Sequence, residues 1–249
     1  MAHKALIGGT AYSITGGRTL IGGTGYGISK GRTLVSGTGY DISFATSSPL
    51  SDFTPGSIVK LNESGSPVEF YVAKHDYESG LNGTGRTLLV RKDVYDTMMA
   101  WGSSYNAYYT NSIDVWLNGK YKNLLDAGIQ TAISTTKFYY TPGNGNTTVT
   151  ALGRDIFILS LTELGKTATS ANVEGIALPI ARTLQVAYKA GSAVSQWTRT
   201  PDLYASEYVH YLSYSGSVYA TNIAQSGNVR PCFTLPGTTL VDADNNIVV

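Results

Sequence analysis

Hydrophobic and polar positions alternate in short blocks from the start of the chain. Leu6–Thr19 reads LIGGTAYSITGGRT, Leu20–Thr33 reads LIGGTGYGISKGRT, and Leu34 opens LVSGTGYDISF, a repeat of period fourteen. Each unit carries a Leu-Ile pair, a Gly-Thr turn, an alternating Tyr-x-Ile segment and a second glycine-marked turn. That pattern predicts short β-strands joined by tight turns. A single unit has too few apolar side chains to close a core. The repeats therefore either form a small meander packed on the rest of the chain or intertwine between chains as an oligomeric stalk or anchor. The second reading is favoured.

Beyond the repeats, ATSSPLSDFTP is polar and proline-marked, which reads as a linker. The expected organisation is a repeat region over residues 1–45, a linker over 46–55 and a second domain over 56–249. From Gly56 the pattern changes. Ile58–Leu61 and Val68–Ala73 read as paired strands, and Thr87–Arg91 as a buried strand. Asp93–Trp101 carries Val94, Met98 and Trp101 at helical spacing. Ser112–Ala127 is the best helix, with Asn118-Gly119 as a point of interruption. Asp155–Leu161 reads as a central strand, with a short helix starting at Thr162. Strands and helices do not alternate as βαβ units, so the fold class is α+β and not doubly wound.

Composition narrows the partners. The chain has 249 residues, a net charge of +1, 42% hydrophobic residues and only 14% charged ones, with 28 Gly and 18 Tyr. Scattered Lys and Arg do not make the phosphate-neutralising patch that nucleic acid requires. No apolar run reaches the length of a spanning helix, so membrane insertion is not expected. MAHKALIGGT lacks the layout of a secretion signal peptide. A single cysteine, Cys232, forms no internal disulfide framework, so synthesis in a reducing cytoplasm is expected.

Searches for chemistry return nothing specific. The histidines are His3, His75 and His210, and none sits in a nucleophile–base motif. His75 reads as a strand-end residue bonded by Asp76. Gly165-Lys166-Thr167 lacks the glycine a phosphate loop needs five residues earlier, where Ser160 stands. Zinc spacing is missing. Asp242-x-Asp244-x-Asn246 lacks the glycine and closing glutamate of a calcium loop and reads as a solvated turn. The expectation is a non-enzyme with no catalytic residues, no metal and no cofactor.

Trp197–Pro231 stands apart. It holds five Tyr, five Ser, no Lys and four formal charges. Tyrosine offers a large amphipathic contact area at low entropic cost, and Ser and Asn offer adaptable hydrogen bonds, as in antibody paratopes. The plainer reading is a twisted sheet whose outer face is merely rich in Tyr and Ser. A binding surface is favoured over it.

Six segments, in order, resemble a bacterial and phage domain family with a C-type-lectin-like fold, related in architecture to formylglycine-generating enzymes. They are GSIVK (56–60), VEFYV (68–72), VWLNG (115–119) followed by Tyr121, DIFILSL (155–161), WTRTP (197–201) and GNVRP (227–231). The repeats before residue 45 resemble N-terminal modules of phage structural proteins from anaerobic gut bacteria. Many members of the family are the variable proteins of diversity-generating retroelements, in which Asn codons are mutagenised at adenines. The resemblance implies that the diversified segment lies between the W-x-R and V-R-P motifs. Trp, Glu and Gln cannot arise that way, so Trp197, Glu207 and Gln225 are expected to be fixed. Val209, Gly216, Val218, Ile223, Gly227 and Val229 match the family's frame. Trp197, Arg199, Gly216 and Arg230 are the implied scaffold of the site. The implied contact set is Tyr204, Ser206, Tyr208, His210, Tyr211, Ser213, Tyr214, Ser215, Ser217, Tyr219, Thr221 and Asn222, held outward on one rigid face.

The chain departs from related families in two ways. Cys232 is alone, so the catalytic cysteines of formylglycine-generating enzymes have no counterpart. The Glu-Pro-Asn and Trp-Asn-Asp motifs of calcium lectins are missing, so calcium-dependent sugar binding is not implied. The resulting expectation is a virion receptor-binding protein on a phage tail fibre or capsid surface. It would be a homotrimer joined to other virion proteins through residues 1–45 and would bind a host-surface protein or glycan. The alternative is a structural decoration or baseplate protein with no ligand of its own.

Overall fold

The computed structural model describes residues 47–249 throughout and, before them, the backbone of the strands between His3 and Ser43. The chain divides into two compact units, Met1–Ser47 and Ser48–Val249. In the first, three antiparallel hairpins follow the sequence repeat: His3–Ile7 with Thr10–Ile14, Arg18–Ile21 with Thr24–Gly27, and Lys30–Val35 with Thr38–Ser43. The innermost pairs, Ile7–Thr10, Ile21–Thr24 and Val35–Thr38, recur at the same point of each repeat.

The second unit begins at Ser48, earlier than the Gly56 expected from composition. Ser48–Pro49 pairs with Leu240–Val241, which also pairs with Ile247–Val248. Leu50 is fully buried, and its N–H donates to the Thr239 carbonyl at 2.7 Å. Residues 48–52 are thus part of the domain rather than a linker, and both ends of the unit meet in one small sheet.

The main sheet is five-stranded and antiparallel. Its strands are β1 (Ile58–Glu63), β2 (Ser66–His75), β3 (Arg86–Arg91), β4 (Ile156–Phe157) and β8 (Cys232–Pro236), in the spatial order β4-β8-β3-β2-β1. β3 lies in the middle with Thr87–Arg91 all buried, which explains why it reads as an unbroken apolar run. β1 is covered on one face only, so Val59, Leu61 and Glu63 alternate with more accessible neighbours. Glu63 is compensated by Arg91 at 3.0 and 3.1 Å and by the Tyr121 hydroxyl at 2.7 Å. The remaining strands form small antiparallel sheets of two or three strands, and the described helices are few and short. The architecture is mixed and dominated by antiparallel β-structure.

Three segments differ from expectation. Asp93–Trp101 is not helical: Met99–Ala100 is a strand paired with Ser226–Gly227. Trp101 is buried from an extended backbone, its indole N–H donating to the Thr198 carbonyl at 2.9 Å. The helix α1 (Ser112–Trp116) is not broken at Asn118-Gly119 but widened into a π-turn over Leu117–Tyr121. Asn118 there grips β4 through both the carbonyl and the N–H of Ile156, at 2.9 and 3.0 Å. Of Asp155–Leu161, only Ile156–Phe157 is strand.

A second three-stranded sheet carries the Tyr-rich segment: β5 (Gln196–Pro201), β6 (Tyr208–Leu212) and β7 (Val218–Asn222). β6 pairs with β7 in regular register, but β5 bulges. Trp197 faces Tyr211 and Pro201 faces Val209, so Thr198, Arg199 and Thr200 together stand opposite His210. The bulge turns Arg199 into the core, where it is fully buried. Its guanidinium meets Glu163 at 2.6 Å, the Ile158 carbonyl at 2.9 Å and the Tyr139 carbonyl at 2.9 and 3.1 Å. It lies 4.5 Å from the Phe138 ring centroid. Burial opposes its charge, but Glu163, Tyr77 and Glu174 together outweigh that effect and hold the pKa above the ordinary arginine value. Removing one partner of such a pair leaves the other charged and unpaired. Arg199→Met is expected to lower unfolding stability by about 3–5 kcal/mol in urea titration. Adding Glu163→Gln is expected to recover part of the loss, and a single-variant change under about 1 kcal/mol would contradict this role.

Candidate ligand-binding site

The hairpin β6–β7 projects from the bulged strand. Trp197 is the pivot: its indole N–H donates to the Met99 carbonyl at 3.1 Å, and Tyr211 meets its ring edge-on at 6.0 Å. Tyr211 in turn stacks on Tyr219, its register partner, at 5.9 Å. Gly227 lies under Trp197 so closely that a Cβ there would sit 2.5 Å from the indole. Only glycine fits that position. At the hairpin tip Gly216 adopts φ +75, and a Cβ would press on Gln185 at 3.3 Å. The hydroxyls of Ser213, Ser215 and Ser217 form a chain at 3.0 and 3.2 Å, and Ser213 Oγ also accepts from the Ser217 N–H at 3.2 Å. The tip is therefore fixed by its own serines.

The other end of the segment is held by arginine. Arg230 is buried and has no carboxylate partner among the described residues; it donates to the carbonyls of Arg91, Leu184 and Lys92 at 2.8, 3.0 and 2.6 Å. Burial pushes its pKa down to about 10. All four implied scaffold residues, Trp197, Arg199, Gly216 and Arg230, are buried.

The implied contact residues do not form one face. Pairing puts Tyr211, Tyr219 and Thr221 on one side of the hairpin, and Tyr208, His210 and Asn222 on the other. Tyr211 and Tyr219 of the first side line a groove of about 540 Å³ with Tyr214, Ser213 and Ser215, closed by Ala193–Ser195 and Asn228. A smaller cleft of about 180 Å³ adjoins it, where Tyr211, Thr221 and Trp197 meet Gln225. Tyr214 is 69% exposed and Tyr219 54%. Tyr204 (81% exposed) and Ser206 precede the hairpin, Tyr208 is its first residue, and none of the three lines either groove. His210 is the clear correction: it is 3% exposed, with Nε2 facing Ser170 and, at 3.7 Å, Asp202. The strand's alternation turns it inward, so it supports the sheet instead of contacting a ligand. Ser213 is also buried, spent on the tip. Glu207 and Gln225, expected to be fixed, are exposed.

Other residues singled out in the sequence have structural places. Both ring nitrogens of His75 are engaged, by Thr87 Oγ1 at 2.8 Å and the Phe53 carbonyl at 2.7 Å; Asp76 instead accepts from the Gly85 N–H. Burial pushes the Cys232 thiol well up, and it donates to the Phe157 carbonyl, unlike a reactive thiolate. Asp242 accepts from the backbone N–H groups of Asp244 and Asn246, closing the C-terminal turn. Among the described residues, no group of three or more His, Cys, Asp or Glu is placed to hold a metal ion.

Sequence reasoning missed another concavity. It measures about 750 Å³ and is formed by Ser103–Lys120. A signal was present: SSYNAYYTNS (103–112) is as rich in Tyr, Ser and Asn as the C-terminal segment. Asn106 ties the two regions together. Its side-chain amide donates to the carbonyls of Asp202, Ala205 and Tyr208 at 2.8–3.0 Å, and its N–H to Ser206 at 2.6 Å.

Fold and site together define a mixed, mainly antiparallel β-domain presenting exposed tyrosines on a tightly buried frame. The chain belongs to the family described as a domain of unknown function, DUF6273, whose model matches residues 84–237. That span runs from β3 to the end of β8 and includes both tyrosine-rich regions. No curated protein and no solved structure matches the chain.

Frame and surface are expected to separate in mutants. Gly227→Ala should displace Trp197, lower stability by about 1–3 kcal/mol and red-shift tryptophan emission. Tyr214→Ser should change stability by no more than about 0.5 kcal/mol. Equal effects of the two in thermal unfolding would refute the division.

Proposed function

We propose that this chain is a receptor-binding protein of a phage particle, with a C-type-lectin-like domain that binds a host-surface protein or glycan through its tyrosine-lined hairpin. The observation that carries the reading is the pairing of opposites within one segment. Tyr204, Tyr214 and Tyr219 are more than half exposed, while Trp197 and Arg199 before them and Arg230 after them are buried. Exposed aromatic side chains on a rigid base lose little entropy on binding and supply the large contact areas that dominate interfaces. The meeting of the domain's ends in one sheet, and the long excursions between β3, β4 and β8, support the lectin-like assignment.

In this reading residues 1–45 join chains into a homotrimer and attach them to other virion proteins, so that weak sites are multiplied by avidity. The protein is non-enzymatic and acts on the tail fibre or capsid surface. Diversification by a retroelement fits the placement of Tyr, Ser, Thr and Asn residues between the two buried motifs. The alternative is a decoration or baseplate protein whose tyrosine face packs on a neighbouring subunit.

Combining Tyr214→Ser with Tyr219→Ser in the particle separates the two. Host adsorption is expected to fall tenfold or more while particles assemble normally. Failure of assembly would favour the structural role, and unchanged adsorption would overturn the receptor-binding face.

A further inference from the structure

We propose that the groove formed by Ser103–Lys120 is a second, separate binding site, and that it takes a pyranose sugar. The inference does not rest on the hairpin's function. Its starting point is the lining. Three aromatic residues, Tyr105, Tyr109 and Trp116, share the wall with the hydroxyls of Ser103, Ser104, Thr110 and Ser112. There is no carboxylate in it, and Lys120 brings the only formal charge. A pyranose ring has the matching character: a C–H face that lies on an aromatic ring, and a rim of hydroxyls that need neutral donors and acceptors. A metal ion would require carboxylates, and an acidic polymer would require more than one cation.

The wall is built, not incidental. Tyr109 is 54% exposed, yet its ring is held from one side by the Arg154 guanidinium, 4.7 Å from the centroid. Arg154 is in turn fixed by Asp114 at 2.7–3.0 Å. Trp116 leans on Tyr95 at 4.8 Å and on Tyr121 at 5.2 Å. Tyr105 also lines the groove and is more than half exposed. The loop is anchored by Asn106, so the Tyr109 and Trp116 rings are positioned before any ligand arrives, which lowers the entropic cost of binding.

A second observation points to a ligand. Asn111 lies at the base of the groove and is more than nine-tenths buried. Its Oδ1 accepts from the Asp114 N–H at 2.7 Å, capping α1, but its Nδ2 has no partner. An unpaired buried amide donor is costly and uncommon. Nδ2 has almost no accessible surface, so a sugar hydroxyl in the groove reaches it only with a small shift of the neighbouring side chains, and then gives it an acceptor.

The test uses the full chain on an array of neutral hexose, N-acetylhexosamine and uronic acid glycans. The retained class is then titrated as its methyl glycoside by tryptophan fluorescence, since Trp116 lies in the wall. Two variants probe the site. Tyr105→Ala removes an exposed ring. Asn111→Asp keeps an N-cap acceptor but replaces the unpaired donor, and Asp caps as well as Asn. Binding is expected to weaken tenfold or more in each; the thermal midpoint is expected to change little in Tyr105→Ala and to fall in Asn111→Asp, whose new carboxylate oxygen is buried without a donor. If Asn111→Asp does not fold, Tyr105→Ala alone decides. The Tyr214→Ser, Tyr219→Ser variant is expected to bind the glycoside normally, so this site can stand or fall apart from the hairpin. No glycan retained by the unaltered chain, or binding unchanged in either folded variant, overturns the proposal.

Discussion

The candidate surface depends on one buried ion pair. Arg199 enters the core from a bulge in β5 and meets Glu163, which also accepts from the Tyr77 hydroxyl and from the Ser160 N–H. Taking two charges out of water costs several kcal/mol each, and attraction between them repays this only with complete hydrogen bonding. Here the remaining guanidinium donors go to the Ile158 and Tyr139 carbonyls, and an aromatic ring covers the guanidinium plane. A well-packed apolar residue could stabilise the core as much, but it would not fix direction. The ion pair sets where the bulge sits, and the bulge sets where the hairpin leaves the body.

The neighbours of Arg199 complete the arrangement. Thr198 Oγ1 donates to the His210 carbonyl at 2.7 Å, and Thr200 Oγ1 to Glu174 at 2.6 Å. Burial raises the Glu174 pKa, and the hydrogen bonds from Thr200 and the Thr141 N–H work against that rise. Three consecutive residues of β5 thus point into polar but satisfied surroundings. The strand cannot slide without breaking all of them, and a one-residue slip would also reverse the faces of β6 and β7.

Much of this was legible in the sequence, and the gaps have physical causes. The period-fourteen repeat reappears as three hairpins because its glycines and alternation are local signals. TLLVR was readable because a central strand is buried on both faces. The buried W-x-R and V-R-P motifs followed from a family resemblance, not from composition. Composition alone cannot say which residue of an alternating strand faces inward, so His210 was grouped with Tyr211. The bulge that decides it rests on contacts with Glu163 and Ile158, far away in sequence. Val94, Met98 and Trp101 fit a helical period by coincidence: Met99–Ala100 is claimed as a strand by Ser226–Gly227, a partner more than a hundred residues later. The groove at Ser103–Lys120 shows in the sequence only as the Tyr, Ser and Asn content of residues 103–112, because the contacts that hold its wall, Arg154 on Tyr109 and Tyr95 on Trp116, are not local in the chain.

The contacts that fix the segment share a property. Arg199 grips the carbonyls of Tyr139 and Ile158, and Arg230 those of Arg91, Leu184 and Lys92. Asn106 grips the carbonyls of Asp202, Ala205 and Tyr208, Trp101 that of Thr198, and Trp197 that of Met99. Backbone carbonyls are the same whatever side chain stands at the position. A frame that holds main chain leaves Tyr208 or Ala205 replaceable without losing its bonds. Frame residues such as Gly227 and Arg199, which act through shape or charge, have no such freedom. Which positions bear on the frame through their side chains is therefore set by which atoms the frame uses: main-chain carbonyls at Ala205 and Tyr208, side-chain shape or charge at Gly227 and Arg199.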